Sequence, residues 1–481
     1  MERGHDRGTK KTSLYLLAGA SAFGLLVSGS PAAKAASMEE LQAQMRAMQA
    51  QMQELQRQVN QAKSEAASAK ASSGSGGSDL DLKVKWKGAP ELSSSDGKFK
   101  FKVRGRLMGD FNSIDQDEAI TGEPNVNGVE LRRARLGVEG VVYYDWKYKF
   151  EVDFAGDASE VKDAYIAYAN WADWEKSEIL IGQFKTANSL EDMTSSRFIT
   201  FMERSAFIEA FGIDRQIGTG VWAGDEHWSF QTGYFGGNTS NQETWFDSES
   251  TFSVRGTVAP INNDTTVVHL GANYRHRDAG TSDETGFAEL FRYRARAADL
   301  HLADRFVQTP FIGENDDMFV LEGAAVYKRF SVQGEYAQLE TNVAPGIAPG
   351  VKPTYNGWYI EGSVFLTDDM RNYEADEGAF GRVKPKNPVY GGSGGWGAWQ
   401  LAGKYDVIDL SDGAAAINAS GAPNAVMCEE CGEQKTWLIG LNWWLTDYTA
   451  LKFNVTQSEI EGGVNDGADI TGFGMRAQID W

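Results

Sequence analysis

The chain has 481 residues, 46 Lys plus Arg against 67 Asp plus Glu, and a formal net charge of -21. That balance excludes nucleic acid as a partner, because a phosphate-binding surface needs a net basic face. With 53 Gly, 11 Pro and 12% aromatic residues, the composition suits long strands joined by turns. Beyond the first 30 residues no apolar run reaches 18, so a closed β-barrel is the remaining way to span a bilayer.

Residues 1–35 read as a secretory signal peptide. Arg7, Lys10 and Lys11 form a basic start, Leu14 to Val27 an apolar core, and Ala33-Lys34-Ala35 a cleavage site. An exported protein is therefore expected. In residues 38–70, Met38, Leu41, Met45, Met48, Met52, Leu55, Val59 and Ala62 fall three and four apart. That is the a/d seam of an α-helical coiled coil. One amphipathic helix lying on its own protein is the alternative. Residues 71–97, which contain SSGSGGS, are expected as a flexible linker.

From residue 98 the period changes to two. Phe99, Phe101, Val103, Leu107 and Phe111 alternate with Lys98, Lys100, Lys102, Arg104 and Arg106. Successive strand side chains point to opposite faces, so one face is apolar and the other a cationic ladder. The pattern recurs along the chain. It closes with Phe473, Met475, Ala477, Ile479 and Trp481 against Gly474, Arg476, Gln478 and Asp480. Short turn signals, such as Asn262-Asn263-Asp264 and Lys328-Arg329, separate pairs of strands, with longer polar stretches between the pairs. Short turns at one end and long loops at the other mark an outer-membrane barrel. The expectation for residues 98–481 is all-β: a 16-stranded antiparallel transmembrane β-barrel.

Gly182 to Phe211 is too long for a hairpin and too mixed in polarity for a strand. Phe198, Phe201, Met202, Phe207 and Phe211 give it apolar anchors. Such a loop is expected to fold into the lumen and narrow it.

Four segments carry a family resemblance: Glu130–Gly140 (ELRRARLGVEG), Gly182–Ser205, Gly378–Pro388 (GAFGRVKPKNP) and Gly394–Leu410 (GGWGAWQLAGKYDVIDL). With the closing aromatic strand, they resemble the phosphate-selective porins of the O and P type. The resemblance implies a homotrimer in the outer membrane of a Gram-negative bacterium, surrounded by lipid and lipopolysaccharide. It also implies passive diffusion of small, phosphate-like anions through a basic constriction. It puts Arg132, Arg133 and Arg197 at the narrowest point, with Lys185 at the start of the loop. Arg suits this task because its planar guanidinium gives two parallel hydrogen bonds to an oxyanion.

Two further basic groups are candidates. Arg292, Arg294 and Arg296 share one face if extended, and would gather anions at the extracellular mouth. Lys98, Lys100, Lys102, Arg104 and Arg106, with Arg382, Lys384 and Lys386, would line the periplasmic exit. The competing reading of Arg132 and Arg133 is that they pair with Glu191 or Asp192 and only pin the loop. The negative net charge leaves a second function open: a weakly selective general diffusion porin whose coiled coil tethers the cell wall.

Cys428 and Cys431 are the only cysteines, and a disulfide across a loop tip is expected in an oxidising compartment. An intact CxxC acting as a metal or redox sensor is the alternative, but a lone pair with no His nearby is a poor zinc site. The five His are scattered, and no catalytic motif occurs. The reading is therefore no enzyme, no cofactor and no metal.

Overall fold

The computed structural model describes residues 82–237, 249–280, 289–392 and 394–481, together with Ala50, Gln53, Glu54, Arg57, Asn60 and Gln61. The expected signal peptide and the apolar seam of the coiled coil lie outside the described residues. The six residues just named are helical and exposed.

Sixteen strands form the barrel. They are β1 (Phe99–Asp115), β2 (Val126–Val142), β3 (Trp146–Asp153), β4 (Glu160–Ala169), β5 (Lys176–Lys185), β6 (Arg215–Asp225), β7 (Trp228–Phe235) and β8 (Ser250–Asn262). The second half comprises β9 (Thr266–Asp278), β10 (Gly313–Tyr327), β11 (Phe330–Val343), β12 (Thr354–Phe365), β13 (Ala398–Asp409), β14 (Glu433–Trp444), β15 (Thr449–Glu461) and β16 (Asp469–Asp480). Each strand pairs antiparallel with the next. β16 pairs back onto β1, from Thr471 opposite Asp115 to Asp480 opposite Arg106, and this closes the sheet.

The burial pattern is the reverse of a soluble protein's. On β16, Phe473, Met475 and Ile479 are exposed, while Arg476, Gln478 and Asp480 are buried. Leu321 is 62% exposed and Ile439 64%, whereas Lys452, Asn454 and Arg476 are 0% exposed. Apolar side chains facing outward around a polar interior are stable only where lipid replaces water outside. Aromatic pairs sit near both strand ends. Trp399 stacks on Trp443 (4.8 Å) and Trp174 meets Trp228 (5.2 Å) by the short turns; Tyr274–Phe319 (4.9 Å) lies toward the long loops. These positions match the aromatic girdles of a barrel at its two interfaces.

The expected linker is not flexible throughout. Leu82–Lys87 and Ala89–Ser94 form a hairpin, and Ala89–Ser94 pairs onto β1 at Glu91–Lys102, Leu92–Phe101 and Ser93–Lys100. The physical reason lies in LKVKWK, which already alternates with period two. Gly88 supplies the turn at φ +75°, and a side chain there would strike Tyr448.

Three long connections enter the barrel: residues 186–214 and 289–312 from the long-loop end, and 366–392 from the short-turn end. The main apolar core lies where the first two meet the wall. Phe207, Phe211, Tyr293, Leu300, Tyr355 and Tyr359 pack together there.

Candidate functional site

The connection after β5 is built from two short helical turns, α1 (Leu190–Met193) and α2 (Ala206–Ala210), each beginning after a serine. The first N–H groups of a helix lack partners within it. Carboxylates from the far wall supply them. Glu335 on β11 accepts from Leu190 N (2.7 Å), Glu191 N (3.0 Å), Ser189 Oγ (2.8 Å) and the Tyr359 hydroxyl (2.8 Å). Asp406 on β13 accepts from Ala206 N at 2.8 Å. Asn442 on β14 donates to Thr200 O at 2.8 Å, and Lys452 on β15 donates to Ile199 O. The loop is thus fastened to β11–β15, and cavities remain between it and the β1–β6 wall.

That wall is basic. A β-bulge lies opposite Met108 and Gly109, where β2 supplies Leu131, Arg132 and Arg133 against two residues of β1. Without it, Arg132 and Arg133 would point to opposite faces. The extra residue turns both inward, while Leu131 remains exposed. Arg135 follows two residues later on the same face as Arg133. It is held by Asp153 (2.7 Å) and Glu151 (3.2 Å).

Two cavities flank the loop. The upper one, about 360 Å³, lies toward the long loops and is lined by residues that include Arg132, Glu203, Arg296 and His301. The lower one, about 330 Å³, lies toward the short turns and is lined by residues that include Arg104, Lys149, Lys176 and Arg197. Four residues line both: Arg133, Arg135, Arg204 and Arg215. The boundary where the two cavities meet, called the neck below, is lined by these four arginines. Eleven cationic side chains line the lower cavity against four acidic ones.

Each neck arginine has a different commitment. Arg215 donates to Asp163 at 2.8 Å. Arg204 donates to the carbonyls of Glu191 (3.0 Å), Asp192 (3.2 Å) and Thr194 (2.9 Å). Arg133 lies 3.6 Å from Glu203 and 3.7 Å from the Met108 sulfur. Among the described residues, the Arg133 guanidinium has no oxygen acceptor at hydrogen-bond distance. Glu203 is shared by Arg132 (2.9 Å, twice) and Arg476 (2.6 Å). Burial alone would raise its pKa. The guanidiniums of Arg132, Arg133 and Arg476 outweigh burial and hold the carboxyl well below the usual carboxylate range.

The expected constriction residues separate in space. Arg133 is in the neck. Arg132 lines only the upper cavity, and Arg197 and Lys185 line only the lower one. Arg132 and Arg133 face Glu203 rather than Glu191 or Asp192, because Asp192 is taken by Lys185 (3.1 Å) and Arg204 (3.6 Å). Arg197 reaches Asp480 at 3.3 Å, where Arg382 also binds.

Arg292, Arg294 and Arg296 are more exposed than the intervening Tyr293 and Ala295, which are buried. Arg292 donates to Thr309 O at 3.1 Å, and Arg296 pairs with Glu209. The β1 ladder does not end at the short-turn rim. Lys98 pairs with Asp96 (3.0 Å) and Lys102 lies 3.9 Å from Glu139, but Arg106 reaches Ser196 Oγ in the loop at 2.7 Å. Lys100, Lys384 and Lys386 are exposed, and Lys386 pairs with Asp368 at 2.6 Å. Cys428 and Cys431 are joined by a disulfide. Both cysteines are buried in the apolar core.

Arg135, Arg204 and Arg215 escaped the sequence reading. For Arg135 the signal was there, since its spacing of two from Arg133 puts both on one face. Arg204 and Arg215 depend on tertiary docking of the loop.

The family model described as phosphate-selective porin O and P matches residues 101–481. Porin O of Pseudomonas aeruginosa is 26% identical over 423 residues, covering 83% of this chain and 92% of that protein. An uncharacterized protein of Caulobacter vibrioides is 28% identical over 389 residues, covering 79% of this chain and 72% of the relative. Among solved structures, the anion-selective porin from Comamonas acidovorans aligns with a TM-score of 0.49 at 13% identity, over 80% of this chain and 100% of that one. With a closed barrel, an apolar exterior and a family match that runs from β1 to β16, the chain belongs to the phosphate-selective porin O and P family and is an outer-membrane porin.

Proposed function

We propose that this porin passes small oxyanions, phosphate among them, by passive diffusion through the neck of Arg133, Arg135, Arg204 and Arg215. The observation that carries this reading is Arg133. It lines both cavities, and its donors face no oxygen acceptor at hydrogen-bond distance among the described residues. A permeating anion needs fixed donors that replace part of its hydration, and neighbouring sites weak enough to release it. The other three arginines keep their charge in the neck while carboxylates or carbonyls hold their geometry. Arg292, Arg294 and Arg296 would collect anions outside, and the ladder from Lys98 to Arg106, with Lys185 and Arg197, would receive them below. No covalent step is involved, and the functional unit is a homotrimer of exported chains.

The test is the reversal potential of a planar bilayer in a KCl gradient. Anion preference supports the proposal, and cation preference overturns it. A weakly selective general porin is the second reading. It is favoured by the carboxylates Glu203, Glu151 and Asp163 beside the neck arginines. In that case phosphate would not reduce the chloride current. A tether to the cell wall through residues 38–70 belongs to this second reading.

A further inference from the structure

Below the neck the lumen wall is partly aromatic. Tyr165 on β4 and Trp222 on β6 line the lower cavity, and both are half-buried. Each packs edge-on against Phe184 of β5, at centroid distances of 6.0 and 5.8 Å. Phe184 is buried behind them and backed by Phe235 at 5.2 Å. This packing fixes the orientation of the two outer rings. The Lys176 ammonium stands 4.8 Å from the Trp222 ring centroid. On the loop, the half-buried Phe198 lines the same cavity, with the Arg197 and Arg382 guanidiniums 4.8 and 5.0 Å from its ring.

A hydrated inorganic ion gains nothing from an aromatic face, and an aromatic face turned to water is unfavourable. Rigid rings beside fixed cations fit a different ligand, one with a flat apolar body and an anionic head. The body stacks on Trp222 or Tyr165 while the head meets the surrounding ammonium and guanidinium groups. About 330 Å³ is at the small end of ligand pockets and suits a single-ring molecule. We propose that the lower vestibule is a binding subsite for aryl anions, aromatic phosphates or carboxylates, and that Trp222 and Tyr165 set this preference. This inference rests on the anion-pore reading above.

The experiment measures block of chloride current in a planar bilayer by phenyl phosphate and by inorganic phosphate. The expected half-blocking concentration is about fivefold lower for phenyl phosphate, the gain expected of one aromatic contact. In Trp222→Leu and in Tyr165→Leu the ratio between the two blockers should fall toward one. Equal block of the wild type by both compounds overturns the subsite while leaving the anion pore standing. A ratio that survives both substitutions overturns the assignment to these residues. A cation-favouring reversal potential overturns the pore reading and the subsite together. The wild-type comparison decides the matter even where a variant does not fold.

Discussion

Arg132 grips Glu203 through two hydrogen bonds of 2.9 Å, Nε to Oε1 and Nη2 to Oε2. That grip leaves the adjacent Arg133 at 3.6 Å from the same carboxylate. Glu203 therefore acts as a post that fixes Arg132 and holds the loop, while the Arg133 guanidinium is left without an oxygen acceptor at hydrogen-bond distance among the described residues. Replacing Glu203 by Ala should raise anion selectivity, because one negative charge leaves the neck. It should also lower stability by roughly 2–4 kcal/mol, since buried guanidiniums lose a partner. Reversal potential and the thermal unfolding midpoint check the two halves.

Reversing the charge at Arg133 tests the neck directly. Arg133→Glu should cut anion conductance about tenfold or more, given the strength of a unit charge at close range in a partly desolvated site. The same change at Arg329, exposed in the β10–β11 turn, should leave conductance within about twofold. Single-channel recordings of the two variants give the comparison.

The depressed pKa of Glu203 makes a statement about pH. Its folded value lies below its unfolded one, near 4.3. The stability it adds is therefore fully present above the unfolded value and is lost as pH falls through the folded one. The loop contacts at Glu203 should persist from neutral pH to about pH 4 and fail only in stronger acid. Channel noise recorded from pH 7 to pH 3 should rise only at the acid end. Glu203→Gln should show the acid behaviour already at neutral pH.

Glu335 is the post for the other side of the loop. Glu335→Ala removes the acceptor for Ser189, Leu190, Glu191 and Tyr359. Each buried donor left without a partner costs about 1–3 kcal/mol. The loop should then come away from the β11 wall, and selectivity should weaken. Shorter-lived conductance levels and faster proteolysis within residues 186–214 are the expected readouts.

Arg294 is exposed, so its expected effect on transport is long-range and screened by salt. Arg294→Glu should lower anion conductance at about 0.01 M salt, where charges are felt over about 30 Å, and have no effect at 1 M, where the range is about 3 Å. A salt series on the variant and wild type measures this.

The barrel was legible because strand alternation is local. Phe473, Met475 and Ile479 against Arg476, Gln478 and Asp480 can be read without knowing any neighbour. Arg132 and Arg133 were expected inside the barrel only through the family resemblance carried by ELRRARLGVEG. Strand alternation by itself would send one of the two outward, because the bulge that turns both inward depends on the pairing of β1 with β2. Arg204 and Arg215 were not legible either. Arg204 owes its place to loop docking against residues far along the chain, and Arg215 to the fold that brings β6 beside the loop. The hairpin at 82–94 was missed because a six-residue run beside a Gly/Ser-rich stretch reads as linker until it finds β1.

The posts that hold the loop come late in the chain. Glu335, Asp406, Asn442 and Lys452 all follow the loop by more than a hundred residues. Contacts that distant in sequence form slowly. A barrel that has laid down β1 through β6 has its arginine wall and the Arg106–Ser196 and Arg132–Glu203 contacts, but none of the posts that hold the loop from the far side. Docking of the loop is consequently a late product of folding, and the selectivity proposed for this pore would be acquired last: a channel closed into a cylinder with its loop still undocked would conduct before it could discriminate.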